Sequence, residues 1–425
     1  MEKVQITPRG IKRTLQKFDS QQAIAEYIWN GFDANASRVE LTMERNELGG
    51  LERISIQDNG HGIRRQGLEH KFKIFYESEK QIDPGSRVRM SSTMHGKNGI
   101  GRLTFHSFAS LATWKTTYTD GLTHKSYTIR IASETIDTYA LTEPVVSVET
   151  LGTEVVFEHL HRELNVNQLE AYLAREFGWF LELHAASGFE LLLDGQPLNY
   201  EQLIAERARV ELEHEPTRTK FAVTFIRWRE RINNEYSRLY FLDSARNERH
   251  KQPTTFNNKG DAFHHSVYIR SRLFDHFDFM SHDQYGQQEL SFGLSRKSEP
   301  FQFLLEGINQ LIHSKRKPFL KSSSEAVIAD LAASEAFPAL DEASGSSQRK
   351  EELEQVIKEL YRIEPRMFTR LNPEQKRAFT HMLDLLLESA SRERLLAVLT
   401  GMMEVSGPER KELEALLVRE AAGIE

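Results

Sequence analysis

From Ser20 to Leu198 the sequence alternates helix-like and strand-like stretches, and no other feature limits the fold as much. Ser20 is an N-capping residue type. Behind it Ile24, Tyr27 and Ile28 recur at helical spacing, which predicts a helix over Gln21–Asn30. Arg38–Met43 alternates polar and apolar residues as a half-buried strand does, and Leu51–Gln57 reads as a second strand. Leu111–Thr119, His124–Ile131 and Thr153–Phe157 carry further strand signal, and Asn167–His184 is helical. Leu191–Leu193 runs into Asp194-Gly195, a tight-turn pair. Helices and strands mixed in this way predict an α/β sandwich at the start of an α+β chain.

Four regions are expected. The sandwich covers residues 1–200, and a second α/β domain covers 201–320, with strands at Phe221–Ile226 and Ser266–Ile269 and a helix at Glu299–Ser314. Residues 321–349, rich in Ser and Ala, read as a linker holding one short helix near Ala326–Ala332. Residues 350–425 read as a helical bundle: Asn372-Pro373-Glu374 is a helix start, Gly407-Pro408-Glu409 is another, and Leu383, Leu386, Leu387, Leu395, Leu396 and Leu399 mark apolar faces. At 425 residues there is room for about two to four domains.

Composition removes several classes of chemistry. There is no Cys, so disulfides, zinc–cysteine sites, iron–sulfur clusters and cysteine nucleophiles are excluded. The net charge of -7 favours solubility and gives no chain-wide attraction to nucleic acid, although a local basic groove stays open. The N-terminal MEKVQITPRG lacks the apolar core of a secretory signal, and no apolar run reaches the ~18 residues of a membrane span. The expected location is the cytoplasm. Strand alternation puts His264-His265 on opposite faces, and His159/His161 share a face but lack a third ligand, so structural or solvated histidine is the reading for both pairs.

Three motifs carry chemistry. In Glu26-Tyr27-Ile28-Trp29-Asn30-Gly31-Phe32-Asp33, Glu26 and Asn30 are one helical turn apart and share a face. A carboxylate there can take a proton from water, and an amide oxygen can ligate Mg²⁺. Alone, the pair reads first as a solvated helix face, since charged helix faces are common. In Ile56-Gln57-Asp58-Asn59-Gly60-His61-Gly62, a strand ends on a carboxylate that can accept from an exocyclic amine, beside glycines that let a flat ring come close. Alone, it reads as a hairpin turn. In Gly96-Lys97-Asn98-Gly99-Ile100-Gly101-Arg102-Leu103, glycines precede an apolar helix start, an arrangement that presents backbone N–H groups to phosphate. It is neither a Walker A loop nor a dinucleotide fingerprint.

In this order, the three motifs resemble those of the GHKL ATPase superfamily: gyrase B, the ninety-kilodalton heat-shock chaperone, MutL, MORC proteins and histidine kinases. Gly152-Thr153 resembles the strand that closes the nucleotide site, and Ser78-Glu79-Lys80 is a weaker match before the lid. The resemblance covers about residues 10–200 and implies a Bergerat-type ATPase domain followed by a transducer-like domain. It implies ATP and Mg²⁺ as cofactors. Glu26 would be the general base and Asn30 the metal ligand. Asp58 would read the adenine amine with support from Thr153, and Gly60 and Gly62 would shape the adenine pocket. Asp33 would pack near the nucleotide. Gly96, Asn98, Gly99, Ile100 and Gly101 would form the lid, and Lys80 and Lys97 would contact phosphate. Arg249, Lys251 and Lys259, placed in a polar loop, are transducer candidates for the γ-phosphate.

The layout is similar to prokaryotic MORC-like and chaperone-like proteins. It implies ATP-driven clamping of a homodimer, through the ATPase domain or the C-terminal helices. The client would be a nucleic acid or a protein, in a DNA-handling, chaperone-like or anti-phage role. A histidine kinase would need a phospho-acceptor His ahead of the first motif, and residues 1–25 hold none. The other reading is a nucleotide-binding scaffold or signalling protein without turnover. Lys315-Arg316-Lys317 reads as a solvated helix end.

Overall fold

The computed structural model describes residues 8–15, 17–68, 101–232, 237–257, 259–279, 295–338, 346–369 and 371–389. Helix α1 (Pro8–Leu15) buries Ile11 and Leu15. Helix α2 (Ser20–Asp33) is capped by Asp19 rather than Ser20. The Asp19 backbone is extended, and its carboxylate accepts the Gln21 N–H at 2.6 Å.

The first sheet is formed by β1 (Arg38–Arg45), β2 (Leu51–Asp58), β3 (Ala109–Asp120), β4 (Thr123–Ala132), β5 (Ala140–Leu141), β6 (Val145–Ser147), β7 (Gly152–Leu160), β8 (Glu190–Leu193) and β9 (Gln196–Pro197). Its order is β5-β4-β3-β7-β2-β1-β8-β9, with β6 also on β4, and among the described residues only β1 and β8 run parallel in it. The turn after β8 takes positive φ at both Asp194 (48°) and Gly195 (79°), as a two-residue hairpin turn of matching twist requires. Helix α3 (Val166–His184) lies beside α2, capped by Asn165. Trp29 and Phe32 of α2 meet Phe177 and Phe180 of α3 in one aromatic cluster, with centroids 4.5–6.2 Å apart. Each such side chain contributes about 1.5–3 kcal/mol on burial, so this seam fixes α2 and α3 against each other.

A second sheet follows in the same compact unit: β10 (Ile204–His214), β11 (Thr219–Trp228), β12 (Arg238–Leu242), β13 (Glu248–Pro253) and β14 (His265–Arg270), in the order β10-β11-β14-β12-β13. Tyr268 donates its hydroxyl to the Trp179 carbonyl at 2.9 Å, and Tyr240 stacks on the Trp179 ring at 5.3 Å. These contacts join the second sheet to α3. Strands β10, β12 and β13 carried no strand reading in the sequence. The polar stretch expected as a loop is strand β13, which places Arg249 and Lys251 in a ladder.

The second unit takes residues 254–263 and the chain from 297 onward, so the chain passes between the units three times. Its first helix, α4 (Glu299–Ala333), is continuous where the sequence suggested a break after Ser314 and a linker from 321. Pro318 lies inside it and removes one backbone donor without ending the helix. Arg316 is not a solvated helix end. It is buried, its Nε donates to Asp261 at 2.7 Å, and its Nη2 stands 2.6 Å from the same oxygen. Helices α5 (Ser346–Ile363), α6 (Arg366–Thr369) and α7 (Pro373–Glu388) follow. The start of α7 is a reciprocal capping box: Asn372 accepts from Gln375 N–H at 2.8 Å, and Gln375 Oε1 accepts from Asn372 N–H at 3.0 Å. Leu331, Leu353, Val356, Ile357, Leu360, Phe368, Leu383 and Leu387 form this unit's core. Leu395, Leu396, Leu399 and the start at Gly407 lie outside the described residues.

Candidate functional site

Helix α2 carries one group of site residues on its solvent edge and touches the other through its last turn. Glu26 is half-buried, and Asn30 is exposed one turn further on. Gly101, the first residue of a 3₁₀ helix (Gly101–Ser107), comes up against this face. A Cβ built on it would stand 2.9 Å from Glu26 Oε2 and 3.9 Å from Asn30 Nδ2. The end of the glycine motif and the first motif therefore meet, although 75 residues separate Tyr27 from Arg102. Gly96, Lys97, Asn98, Gly99 and Ile100 lie outside the described residues, as does Lys80.

The second group gathers at the end of β2. Gly31, next to Asn30 in the helix, packs so tightly that an added Cβ would be 2.9 Å from Val39 Cγ2 and 3.0 Å from Asp58 Cβ. Glu26 and Gly31 are about 7.5 Å apart along the axis, from five residues at 1.5 Å each. The two groups are thus neighbours on one helix. Asp58 ends β2 opposite Thr153 of β7. Its carboxylate accepts the Gly60 N–H at 2.8 Å and is also bonded by the Thr153 backbone N–H. Burial pushes its carboxyl up to about 6, and these two N–H groups pull the other way. Gly60 is buried beneath the end of α2, and the His61 N–H bonds back to the Ala34 carbonyl at 3.0 Å. Gly62 has φ +71°, and a Cβ there would collide with the Thr117 carbonyl at 2.1 Å, so both backbone and space demand glycine. Asp33, the last residue of α2, is half-buried.

Several contributors are absent from the sequence reading. Thr116 of β3 faces Thr153 in register, and their hydroxyls are 3.0 Å apart. Thr116 also accepts the Ile63 N–H at 2.8 Å, which fixes the chain just after Gly62. A threonine-rich strand gives no local sign of this, and only the pairing with Thr153 could have found it. Arg102 follows Gly101 and is largely buried. Burial pushes its guanidinium down to about 10, while Tyr27 and Tyr139 nearby pull it up. Of the phosphate candidates beyond residue 200, Lys251 holds its ammonium 5.7 Å from the Trp179 ring centroid, and Arg249 stands 3.9 Å from Asp243. Lys259 falls in the second unit.

Residues 18–156 match the family model described as histidine kinase-, DNA gyrase B- and HSP90-like ATPase. This segment belongs to the GHKL superfamily. The match spans both groups, Glu26 and Asn30 with Gly101, and Asp58 to Gly62, and it ends just beyond Thr153. Two solved structures of the ATPase region of Saccharomyces cerevisiae topoisomerase II are similar in part, one of them bound to ICRF-187 (dexrazoxane). Each is 11% identical and covered over 59% of this chain and 72% or 73% of the other, with TM-scores of 0.33 and 0.34. Superpositions this loose bear on no argument about activity. No curated protein matches the chain.

The donor set fits a GHKL nucleotide site that takes a divalent ion. Asn30 offers an exposed amide oxygen, a hard ligand. Among the described residues no three His, Asp or Glu side chains converge to hold a metal unaided. An ion at Asn30 would complete its shell with phosphate oxygens and water, as Mg²⁺ commonly does.

Proposed function

We propose that this GHKL protein binds ATP with Mg²⁺ and hydrolyses it to drive a conformational change that clamps two copies of the chain. The observation that supports it best is the meeting of Glu26, Asn30 and Gly101 on one helix face, one residue from the contact of Gly31 with Asp58. Glu26 and Asn30 on α2, with the Asp58 carboxylate at the end of β2 beside the same helix, support a base, an amide ligand and an adenine-reading carboxylate in one site. Asp58, ionised above its value of about 6, accepts a hydrogen bond from the adenine amino group. The pairing of Thr116 with Thr153 holds the Asp58 end of β2 and the Gly62 turn in place. Glu26 accepts a proton from the water that attacks the γ-phosphorus. Asn30 would hold Mg²⁺, which when bound supplies charge neutralisation on the phosphates. Gly96–Gly101 with Lys97 and Lys80 close over the phosphates, and a cation from residues 201–320 reaches the γ-phosphate. The client is a nucleic acid or a protein, in a DNA-handling, chaperone-like or anti-phage role in the cytoplasm. Among the described residues no helix is long and apolar enough to cross a membrane.

The deciding experiment is Mg²⁺-dependent ATP hydrolysis by the wild type and Glu26→Ala, with ATP binding measured alongside. The variant should bind ATP with little change and turn over about 10²–10⁴-fold more slowly. Equal rates would remove Glu26 as the base.

A further inference from the structure

Resting on the ATPase reading above, we propose that Tyr27 is a positioning residue for hydrolysis: its hydroxyl pins the chain that follows the glycine motif to the helix carrying Glu26. Tyr27 is the next residue after Glu26, yet it points the other way, into the core. Its ring packs edge-on against Phe157 at 4.7 Å and near Trp114 at 6.3 Å. Its hydroxyl donates to the Arg102 carbonyl at 2.7 Å and accepts the Phe105 N–H at 3.4 Å. One oxygen thus satisfies two main-chain groups of the 3₁₀ helix. Burial holds the phenol above its usual range, so the hydroxyl remains a neutral donor.

A second tie acts on the same segment. Thr104, fully buried, donates to the Gly101 carbonyl at 2.7 Å, with the Ala23 carbonyl of α2 3.5 Å away. Between them, Tyr27 and Thr104 fix Gly101, Arg102 and Phe105 against α2. What they hold is a residue set close against the Glu26 carboxylate, since a Cβ on Gly101 would meet Oε2 at 2.9 Å. A base whose neighbour can drift loses alignment with its water, and small misplacements are costly in catalysis. A core aromatic needs no hydroxyl to pack, so hydrophobic burial alone does not account for tyrosine here. The role is indirect: Tyr27 acts through the placement of Gly101 and Glu26.

The test compares Tyr27→Phe with Trp29→Phe. Trp29 lies on the same helix, and its Nε1 donates to Glu176 at 2.9 Å, away from the proposed chemistry. Tyr27→Phe keeps the ring and loses the hydroxyl. Its kcat should fall about five- to twentyfold, with KM for ATP within about twofold. Trp29→Phe should lower the melting temperature by as much or more and keep kcat near wild type. Unchanged kcat in Tyr27→Phe, or an equal loss in Trp29→Phe, would overturn the positioning role while leaving the ATPase reading intact. A wild type that neither binds nor hydrolyses ATP would overturn the reading and the proposal together.

Discussion

Two aspartates, one in each unit, are treated in opposite ways. Asp261 in the second unit has a dedicated cation: Arg316 reaches it from 55 residues away, and both side chains are nearly sealed from solvent. Asp58 in the first unit is held by two uncharged backbone N–H groups, and burial lifts its carboxyl to about 6. The second unit neutralises its charge internally, as buried ions must be if they are to be tolerated. The first unit leaves a desolvated carboxylate at the end of a strand, beside the helix that carries Glu26 and Asn30. An imbalance of this kind is the usual mark of a site that expects a ligand.

The comparison can be broken from either side. The largest stability effect is expected for Arg316→Leu, which strands the Asp261 carboxylate in the core. Removing one partner of a buried pair costs about 3–5 kcal/mol, and denaturant unfolding should show it. A loss under about 1 kcal/mol would mean the pair is not the closed system described here. Asp58→Asn should go the other way. Its carboxyl titrates near 6 in the fold and near the ordinary ~3.9 when unfolded, so its contribution to stability is full below about 4 and lost as pH rises through about 6. At pH 7.5 the ligand-free variant should therefore gain stability on the order of 1–3 kcal/mol, a gain that shrinks toward pH 4. The same variant should lose ATP affinity by more than about tenfold, because an amide can donate toward the adenine amine where a carboxylate only accepts. Retained affinity would separate Asp58 from the nucleotide. Asn372→Ala sharpens the comparison at its smallest scale. It removes one half of a self-contained capping box in the second unit and should cost about 1 kcal/mol with no effect on ATP turnover.

What could be read from the sequence was local. Helix α2, helix α3 and strands β1 and β2 announce themselves by period, and the Asn372-Pro373 start of α7 by its capping chemistry. The order of the three motifs carried the superfamily, and the match over residues 18–156 agrees with it. Features decided by distant partners could not be read. Strand β13, Glu-Arg-His-Lys-Gln-Pro, is polar throughout and exists because β12 pairs with it. Helix α4 passes through Pro318 although proline usually ends a helix, with Ile312, Arg316 and Leu320 buried on either side. Thr116 matters only because β3 and β7 align it with Thr153. The Tyr27 hydroxyl finds its acceptor 75 residues later. In each case the energy comes from a contact outside the segment itself.

The threefold passage of the chain between its units also limits how the protein can be taken apart. A truncation after Arg296 keeps residues 254–263 but discards Arg316, so Asp261 would lose its only long-range counter-charge described here. The shortened chain would carry a ten-residue excursion with nothing to close on. Excising the nucleotide-handling half cleanly therefore means also replacing the connection from β13 to β14, and no single scission does both.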